Sequence, residues 1–375
     1  MVDKRTYCLT MAEDFALDHT FSLADGHAYH DPDEEQQKVI DRLSSLWSTS
    51  KNSKHSSIEL DFVNAFYTLA EQRSQIDNTF FRLCTSASQS IDMVAAWLSR
   101  NSLTLGLIEP TFDNLSQIMQ RWSVHTTPIN EDLLYHDEFT SNFDRLEVDA
   151  ILIVCPNNPT GRYPNFAFYE RLAVWARKNS KVLIFDFCFR FFAPPVGDVF
   201  QLLRDAGVSY IAIEDTGKTW PTLDMKVSVL TYSKNLSNEL ENIYAEIILH
   251  ISPFTTMVAG EFVKSTLNSG LSDGLWRLVR QRRSRLRSSL DKSIFSVPDS
   301  SVDNILPVDW IEIADPSVCD VDVVDLLMKS RVGCLPGRYF YWRNRELGKR
   351  YVRFSLLKSD KVFRTACDIL STVRI

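Results

Sequence analysis

A lysine in a tight turn beside two acids is the most unusual chemical feature of this sequence. Residues 213–220 are IEDTGKTW, so Lys218 follows a glycine and comes three residues after Asp215. An amine beside cationic or desolvating neighbours has a lowered pKa and can form an imine near neutral pH. Lys218 is therefore a candidate for covalent chemistry on a carbonyl compound.

The elements that must position Lys218 alternate in type from about residue 79. Runs such as LTLGLIEP, AILIVCP, KVLIFDF and YIAIED predict strands, and segments such as SQSIDMVAAWLSR and FAFYERLAVWARK predict amphipathic helices. Continuous aliphatic runs separated by such helices indicate an α/β fold with a mostly parallel sheet that is covered on both faces. In such sheets functional residues collect on the loops after the carboxyl ends of the strands.

Those loops carry the other candidate residues. TSASQS could cradle an anion at a helix N-terminus or only cap the helix. EPTFDN offers an aromatic ring that is either a stacking platform or a core residue. A carboxylate directly after the buried run VLIF is costly unless it meets a cation. The candidates at the strand ends are Ser86, Ala87, Ser88, Phe112, Asn158, Asp186, Asp215 and Lys218.

Taken together, the spaced motifs SAS, EPTFDN, NNPTG, FDFCF, DTGK and YVRFS resemble the fold type I pyridoxal-phosphate (PLP) enzymes of the aminotransferase class I/II group. The resemblance covers nearly the whole chain and implies a large PLP-binding domain with a smaller α+β domain. It makes Lys218 the Schiff-base lysine, Asp186 the partner of the protonated pyridine nitrogen, Asn158 a donor to the ring hydroxyl and Phe112 the stacking residue.

The same resemblance implies how the rest of the site is used. Lys226 and the amides around Ser86–Ser88 would hold the cofactor phosphate, and Cys188 of FDFCF would also contact the cofactor. Arg353 of YVRFS would grip the substrate α-carboxylate, and a planar guanidinium suits such bidentate recognition. Fold type I sites are built at a subunit interface, so the resemblance also implies a homodimer.

Two positions depart from ordinary aminotransferases. Phe189 stands where a tyrosine usually follows the ring-nitrogen aspartate, so one hydrogen bond to the ring hydroxyl is absent. Asp215 stands where a phosphate-binding serine usually precedes the lysine. A carboxylate would repel phosphate, so it either faces a cationic group of the substrate or belongs to a rearranged phosphate site.

A narrower likeness accounts for these departures. LTMAEDFALDHTFSLADGHAYHD, with IEDTGKTWPTLDMKVSVL and ENIYAEIILHISP, is similar to the PLP- and dioxygen-dependent L-arginine oxidases and hydroxylases, which use no metal or flavin. This likeness assigns Thr10, Glu13 and Asp215 to the substrate guanidinium. His27 becomes the histidine that directs oxidative chemistry, and Asp25 assists it or the substrate, either within the same subunit or from the neighbouring one.

These N-terminal residues also have simpler interpretations. His27 could be a packing or surface histidine, or could bind a metal with His30, although an HxxH pair lacks a third ligand at a telling spacing. Thr10 and Glu13 could simply begin a helix.

The expected activity is oxidation of L-arginine to a 2-oxo acid that is desaturated, 4-hydroxylated or both, with ammonia and hydrogen peroxide or water as further products. The alternative is a conventional aminotransferase of a basic amino acid. A PLP-binding transcriptional regulator is disfavoured because no basic helix-turn-helix pattern precedes the first sheet strand.

Composition sets the remaining expectations. The chain has 375 residues, which suggests an N-terminal segment (1–40), a large domain (41–270) and a small C-terminal domain (271–375). A net charge of −7 disfavours a general nucleic-acid binder, and the basic run 277–287 is expected to be a solvated helix face. Seven scattered cysteines and an N-terminus without an apolar signal core predict a cytoplasmic protein with reduced thiols.

Overall fold

The secondary structure is taken from a computed structural model, which describes residues 8–17, 21–136, 139–296 and 304–373. The strands are β1 (Phe21–Ser22), β2 (Phe81–Cys84), β3 (Leu105–Glu109), β4 (Thr126–Asn130), β5 (Ala150–Val154), β6 (Val182–Asp186), β7 (Tyr210–Asp215), β8 (Ser228–Tyr232), β9 (Phe295–Ser296), β10 (Val308–Ile313), β11 (Val332–Gly333), β12 (Leu335–Pro336) and β13 (Tyr351–Ser355).

The α-helices lie between these strands and at the ends of the described chain. They are α1 (Leu9–Leu17), α2 (Glu34–Asp41), α3 (Leu43–Asn52), α4 (His55–Leu69), α5 (Ala87–Arg100), α6 (Asn114–Arg121), α7 (Phe139–Phe143), α8 (Phe166–Lys178), α9 (Val199–Asp205), α10 (Ser237–Ile247), α11 (Pro253–Ser269), α12 (Arg277–Ser289), α13 (Asp320–Lys329) and α14 (Asp360–Leu370).

A seven-stranded sheet in the order β2-β8-β7-β6-β5-β3-β4 carries the predicted site. Strands β4, β3, β5, β6 and β7 run parallel, and β8 is antiparallel to both of its neighbours. Every residue of β5 and β7 is buried, which explains why these strands are continuous aliphatic runs. The predicted α/β class with a mostly parallel sheet is confirmed.

A smaller antiparallel sheet, in the order β12-β13-β10-β9, lies in the C-terminal part of the chain with α13 and α14. The N-terminal residues join it, since β1 pairs in parallel with β11 and α1 packs beside β12. Helices α2 and α3 pack instead on α11, next to α4. The boundaries suggested near residues 40 and 270 stay predictions.

The basic run 277–287 forms α12, but the expectation of a solvated face is wrong for two of its arginines. Arg282 and Arg283 are buried. Arg283 Nε and Arg287 Nη2 lie 3.1 Å and 2.7 Å from the same oxygen, Oδ1 of the buried Asp309 on β10. Arg282 donates to the backbone oxygen of Leu356 at 2.8 Å. Burial of these charges is tolerated because a carboxylate and backbone carbonyls replace the lost water.

The cysteines are as expected, since all seven are free and six of them are buried, with Cys319 partly exposed. Within the described residues, no helix combines the length and apolar character that a membrane crossing needs.

Removing the buried carboxylate under α12 should destabilise the fold. An Asp309→Ala change leaves Arg283 buried without its counter-ion, which costs about 3–5 kcal/mol in comparable pairs. Urea denaturation should show that loss in the free energy of unfolding. As a control, Asp273→Ala changes an exposed carboxylate and should alter the free energy of unfolding by less than ~0.5 kcal/mol. A loss for Asp309→Ala that is no larger than the control's would contradict the role given to this carboxylate.

Candidate active site

A cavity of about 290 Å³ lies at the carboxyl ends of the parallel strands, where the sequence predicts the site. This volume is near the lower end of the ~300–1,000 Å³ usual for small-molecule sites. The cavity brings together nearly all of the residues singled out from the sequence: Thr10, Glu13, His27, Ser86, Ala87, Ser88, Phe112, Asn158, Asp186, Cys188, Asp215, Lys218, Lys226 and Arg353.

Two other cavities lack these groups. One of about 290 Å³ is lined mainly by apolar residues of loops around Pro164 and Pro195, and one of about 610 Å³ is lined by acidic and aromatic residues near Glu131. Among the described residues neither is lined by a lysine or a histidine. Of these three cavities, only the first has lysine and histidine side chains among its described lining residues.

Lys218 ends a short 3-10 turn that follows β7 directly. Asp215, the last residue of β7, caps this turn, because its Oδ1 accepts a hydrogen bond from the Gly217 amide at 2.7 Å. A Cβ at Gly217 would lie 2.9 Å from Lys226 Cδ. Glycine is therefore needed for the side chain of Lys226 to pass close to the turn that carries Lys218.

His27 lies between the two lysines. Its Nε2 is 3.1 Å from Lys218 Nζ and 3.0 Å from Lys226 Nζ. Its Nδ1 is 2.6 Å from Asp25 Oδ1. An ammonium group only donates hydrogen bonds and a carboxylate only accepts them. These partners therefore assign a neutral imidazole with the proton on Nδ1 and a lone pair on Nε2.

Asp25 lies behind His27 and does not line the cavity. Burial by itself would raise the pKa of this carboxyl, but the hydrogen bond from His27 and the charge of Lys358 hold the pKa below its usual range. Lys358 Nζ lies 3.3 Å from Asp25 Oδ2. The structure thus places Asp25 on the histidine of its own chain.

Asp186 is a buried carboxyl at the end of β6 that faces the cavity. Its Oδ1 accepts a hydrogen bond from the Cys188 amide at 3.0 Å. Burial raises the pKa of Asp186, and the nearby charge of Asp215 raises it further, against the hydrogen bonds from Cys188 and the charge of Lys218. Burial also raises the pKa of the Cys188 thiol, so Cys188 presents an uncharged thiol. A carboxyl group in this setting favours a cationic partner.

Arg353, on β13, reaches the cavity from the small sheet and is fully buried. Its Nη2 lies 3.0 Å from Glu13 Oε1 and also donates to the backbone oxygen of Ala24. Its Nε has no hydrogen-bond partner among the described residues. The guanidinium lies 5.9 Å from the ring of Phe112 and 5.5 Å from that of Phe340. It therefore already holds one carboxylate and has a further donor available.

The orientation of Asn158 follows from its contact with Arg353. Asn158 Oδ1 lies 3.3 Å from Arg353 Nη1, which can only donate. The amide nitrogen of Asn158 is then left as a donor at the cavity wall. Phe112 packs edge-on against Phe340, with ring centroids 6.1 Å apart, and part of it faces the cavity.

The N-terminus of α5 forms another wall. Ser86 caps this helix, with its Oγ accepting from the Gln89 amide at 3.3 Å, and Ser88 Oγ accepts from Asn114 Nδ2 at 3.0 Å. The simpler interpretation of Ser86 as a helix cap therefore holds. Ser86, Ala87 and Ser88 at this helix N-terminus line the same cavity as Lys226, and a helix N-terminus with a lysine suits an anion.

Some residues of the site gave no signal in the sequence. Lys358 follows a strand in an ordinary surface-like string, SLLKSD, and Thr111 has a buried hydroxyl on the cavity wall without a hydrogen-bond partner among the described residues. His30 is buried away from the cavity. Within the described residues, no group of three or more His, Cys, Asp or Glu side chains could hold a metal ion.

The donor set fits PLP. An amine that can meet an aldehyde (Lys218), a buried carboxyl that favours a cation (Asp186) and a helix N-terminus beside a lysine (Lys226) surround one cavity. These three features correspond to the aldehyde, the pyridine nitrogen and the phosphate of the cofactor. Phe189 lines the same cavity without offering a hydroxyl, as the sequence indicated.

Known structures share the fold. The structure of MppP soaked with the product 2-ketoarginine is 31% identical to this chain and superposes with a TM-score of 0.86, covering 94% of this chain and 99% of that one. Substrate-bound BacF from Bacillus subtilis is 14% identical, with a TM-score of 0.76 and coverage of 100% of this chain and 96% of that one. The second likeness concerns the fold alone.

Sequence comparison leads to the same group. LL-diaminopimelate aminotransferase from Chlamydia pneumoniae is 24% identical over 288 residues, which are 72% of this chain and 68% of that protein. The model of the family "Aminotransferase class I and II" matches residues 83–370. That match covers the β-strand ends, the Lys218 turn and Arg353, so the chain is a member of the aminotransferase class I and II family and a PLP-dependent enzyme on that fold.

Proposed function

We propose that this enzyme is a PLP- and dioxygen-dependent oxidase of L-arginine. The observation that carries the proposal is one cavity that holds a carboxylate-binding arginine, Arg353, together with two carboxylates, Glu13 and Asp215. L-Arginine has the complementary charges, an α-carboxylate at one end and a guanidinium at the other. The 31% identity to MppP, whose structure was soaked with 2-ketoarginine, supports the same substrate class.

The cofactor would be held by the residues at the strand ends. Bound PLP would supply an aldehyde for an imine with an amino group and a pyridinium ring that withdraws electrons from the substrate α-carbon. Asp186 would face the ring nitrogen, with its carboxylate fixed by the Cys188 amide. Asn158 would donate to the ring hydroxyl, Phe112 would stack, and Lys226 with the α5 amides at Ser86, Ala87 and Ser88 would hold the phosphate.

The substrate would displace a contact that the chain makes with itself. In this structure the Glu13 carboxylate lies 3.0 Å from Arg353, the arginine proposed to bind the substrate carboxylate. We infer that the α-carboxylate of arginine replaces Glu13 there, and that Glu13 turns to the guanidinium together with Asp215. Thr10 lies one helical turn before Glu13 on α1, so it is on the same side of the helix.

Proton transfer would use the pair of Lys218 and His27. Released from the cofactor, Lys218 Nζ can take the proton from the substrate α-carbon, and the Nε2 of His27, 3.1 Å away, can accept or return a proton. Asp25 holds the imidazole in that tautomer. This pair would move the protons that reduction of dioxygen requires, while the electrons would come from the substrate α-carbon, with no metal or flavin in the proposed reaction.

The simplest overall reaction is that of an amino acid oxidase. L-Arginine, dioxygen and water would give the 2-oxo acid, ammonia and hydrogen peroxide, with dioxygen accepting the two electrons lost from the α-carbon. Desaturation of the chain would remove two further electrons, and addition of water to the alkene would then place a hydroxyl group on C4. The four electrons would reduce two molecules of dioxygen to two of hydrogen peroxide, or one molecule of dioxygen to two of water.

A conventional aminotransferase of a basic amino acid is the second candidate. Membership of the family and the similarity to LL-diaminopimelate aminotransferase favour it. Such an enzyme would use the same Lys218, Asp186 and Arg353, but it would need a 2-oxo acid as the amino-group acceptor. We propose a homodimer for either activity.

Oxygen consumption distinguishes the two candidates. With L-arginine and air but no 2-oxo acid, an oxidase should consume oxygen and release ammonia over many turnovers, whereas an aminotransferase should stop after one. An oxygen electrode with mass analysis of the product measures this, and a metal chelator should leave the rate unchanged. Turnover of lysine or ornithine that exceeds turnover of arginine would contradict the proposed specificity.

The covalent role of Lys218 can be tested by spectroscopy. The purified protein with PLP should absorb at the wavelength of an internal imine, and Lys218→Ala should lose that band because the amine is gone. The control is Lys361→Ala, which changes an exposed lysine of α14 and should keep the band. An unchanged spectrum for Lys218→Ala would rule out this lysine as the attachment point.

The guanidinium contacts should appear in the kinetics. Glu13→Gln and Asp215→Asn each remove one charge-assisted hydrogen bond, which is worth about 1.5–3 kcal/mol. The kcat/KM for arginine should therefore fall about 10- to 100-fold, while the smaller activity with the neutral analogue citrulline should change little. An equal fall in kcat/KM for arginine and citrulline would show that these carboxylates do not bind the guanidinium.

A further inference from the structure

One carboxylate joins a buried ammonium group to the imidazole of the site. Asp25 Oδ1 lies 2.6 Å from His27 Nδ1, and Asp25 Oδ2 lies 3.3 Å from Lys358 Nζ. Asp25 and Lys358 are only 3% and 4% exposed. Both oxygens of this carboxylate are therefore engaged, one by a cation and one by a neutral ring.

Lys358 is held firmly in this place. Its backbone oxygen accepts a hydrogen bond from Arg282, and the preceding residue, Leu357, accepts from the Tyr29 amide at 2.8 Å. The ammonium group also lies 4.6 Å from the centre of the Tyr29 ring, a favourable cation–π distance. The chain thus fixes Lys358 from α12 and from the segment that carries His27.

A buried lysine is unusual, because desolvation disfavours the charged form of its side chain. Burial lowers the pKa of Lys358, and the charge of Asp25 acts against this. A well-packed apolar side chain in the same place would avoid this cost. The ammonium group is therefore explained better by its effect on Asp25 than by its contribution to stability.

We propose that Lys358 is a positioning residue which, through Asp25, keeps His27 a neutral imidazole with its Nε2 lone pair open to Lys218. A lone carboxylate beside an imidazole favours the imidazolium ion. An imidazolium would be repelled by the ammonium group of Lys226, and also by that of Lys218 whenever this lysine is free of the cofactor, and it could not accept a proton. Lys358 offsets the charge of Asp25. It therefore weakens the stabilisation that Asp25 alone would give to the imidazolium form of His27.

Other charged or titratable groups lie near His27, and they are the same in every Lys358 variant of the test. Tyr29 comes from its own segment, and Lys218, Lys226 and Asp224 come from the turn after β7 and the loop that follows. Glu13 and Arg353 are paired with each other and also act on Lys358. Lys358 differs from these groups because it contacts the second oxygen of Asp25.

The inference rests on the role proposed above for His27, but its test does not need turnover. In holoenzyme labelled at histidine with ¹⁵N and ¹³C, the His27 signal is identified by its loss in His27→Asn. In the wild type near pH 7 the ¹⁵N shifts should report a neutral ring protonated on Nδ1. An imidazolium or an Nε2-protonated ring in the wild type would overturn the proposal, whatever the variants do.

Three variants then separate the charge of Lys358 from its packing. Lys358→Met should move the titration midpoint of the His27 signal upward by about one pH unit, at the low end of the effect of a nearby charge. Lys358→Arg should keep the midpoint close to that of the wild type. The exposed Lys361→Met is the control and should change nothing.

The outcomes distinguish the possible failures. A lower melting temperature for Lys358→Met with an unmoved His27 midpoint, or an equal shift in Lys358→Arg, would make Lys358 purely structural and overturn the inference. If the midpoint moves as expected but no variant consumes oxygen with arginine, the inference stands and the proposed oxidase activity fails. If both hold, the acid limb of the pH profile of kcat/KM should move by the same amount as the His27 midpoint.

Discussion

Compensation of buried charge at the carboxyl edge of the large sheet is the constraint on which the site depends. The strand ends bring Asp186 and Asp215 into a mostly apolar environment beside Lys218. Asp215 caps the Lys218 turn, and Asp186 accepts a hydrogen bond from the Cys188 amide. Each of these hydrogen bonds uses one oxygen of its carboxylate, and the proposed function gives each carboxylate a cationic partner: the pyridine nitrogen of the cofactor for Asp186 and the substrate guanidinium for Asp215.

The segment 21–31 ties this edge to the rest of the molecule. Ala28 donates its amide hydrogen to the Gly217 oxygen at 3.0 Å, in the Lys218 turn, and Tyr29 donates to Leu357 beyond β13. The start of this segment pairs with β11, and its Leu23 carbonyl oxygen accepts a hydrogen bond from the Ser355 amide of β13. His27 therefore lies on a stretch of backbone that is bonded to the large sheet on one side and to the small sheet on the other.

Much of this arrangement could be predicted from local sequence. The buried central strands are largely apolar runs, and the polar residues after them mark the site, so the α/β class and the strand-end candidates from Ser86 to Lys218 follow from the sequence pattern, whereas Lys226 and Arg353 follow from the resemblance to a known family. Two strands have weaker signals in the sequence: β4 (TTPIN) contains a proline and is a partly exposed edge strand, and β8 (SVLTY) is short and includes two hydroxyl residues besides its terminal tyrosine. Both lack the long aliphatic runs of the central strands.

What could not be predicted depends on contacts between residues far apart in the chain. The sequence does not indicate that Glu13 meets Arg353, that Lys358 meets Asp25, or that Arg282 and Arg283 are buried, because each pairing needs the tertiary fold. In the sequence, the apolar residues Leu278, Val279 and Leu286 predict a helix with one buried stripe and a solvated basic face. The tertiary fold explains why these arginines are inside: Arg282 meets carbonyl groups that follow β13, and Arg283 meets Asp309 and carbonyl groups before and at the start of β10.

The double attachment of segment 21–31 has a consequence for the evolution and engineering of the enzyme. The histidine proposed to choose the reaction and the arginine proposed to hold the substrate are braced by the same hydrogen bonds to β13. The two proposed roles, the choice of reaction and the binding of the substrate carboxylate, therefore depend on the same stretch of backbone. In a chimera with a homologue, the C-terminal sheet and the N-terminal segment would therefore have to come from the same parent protein.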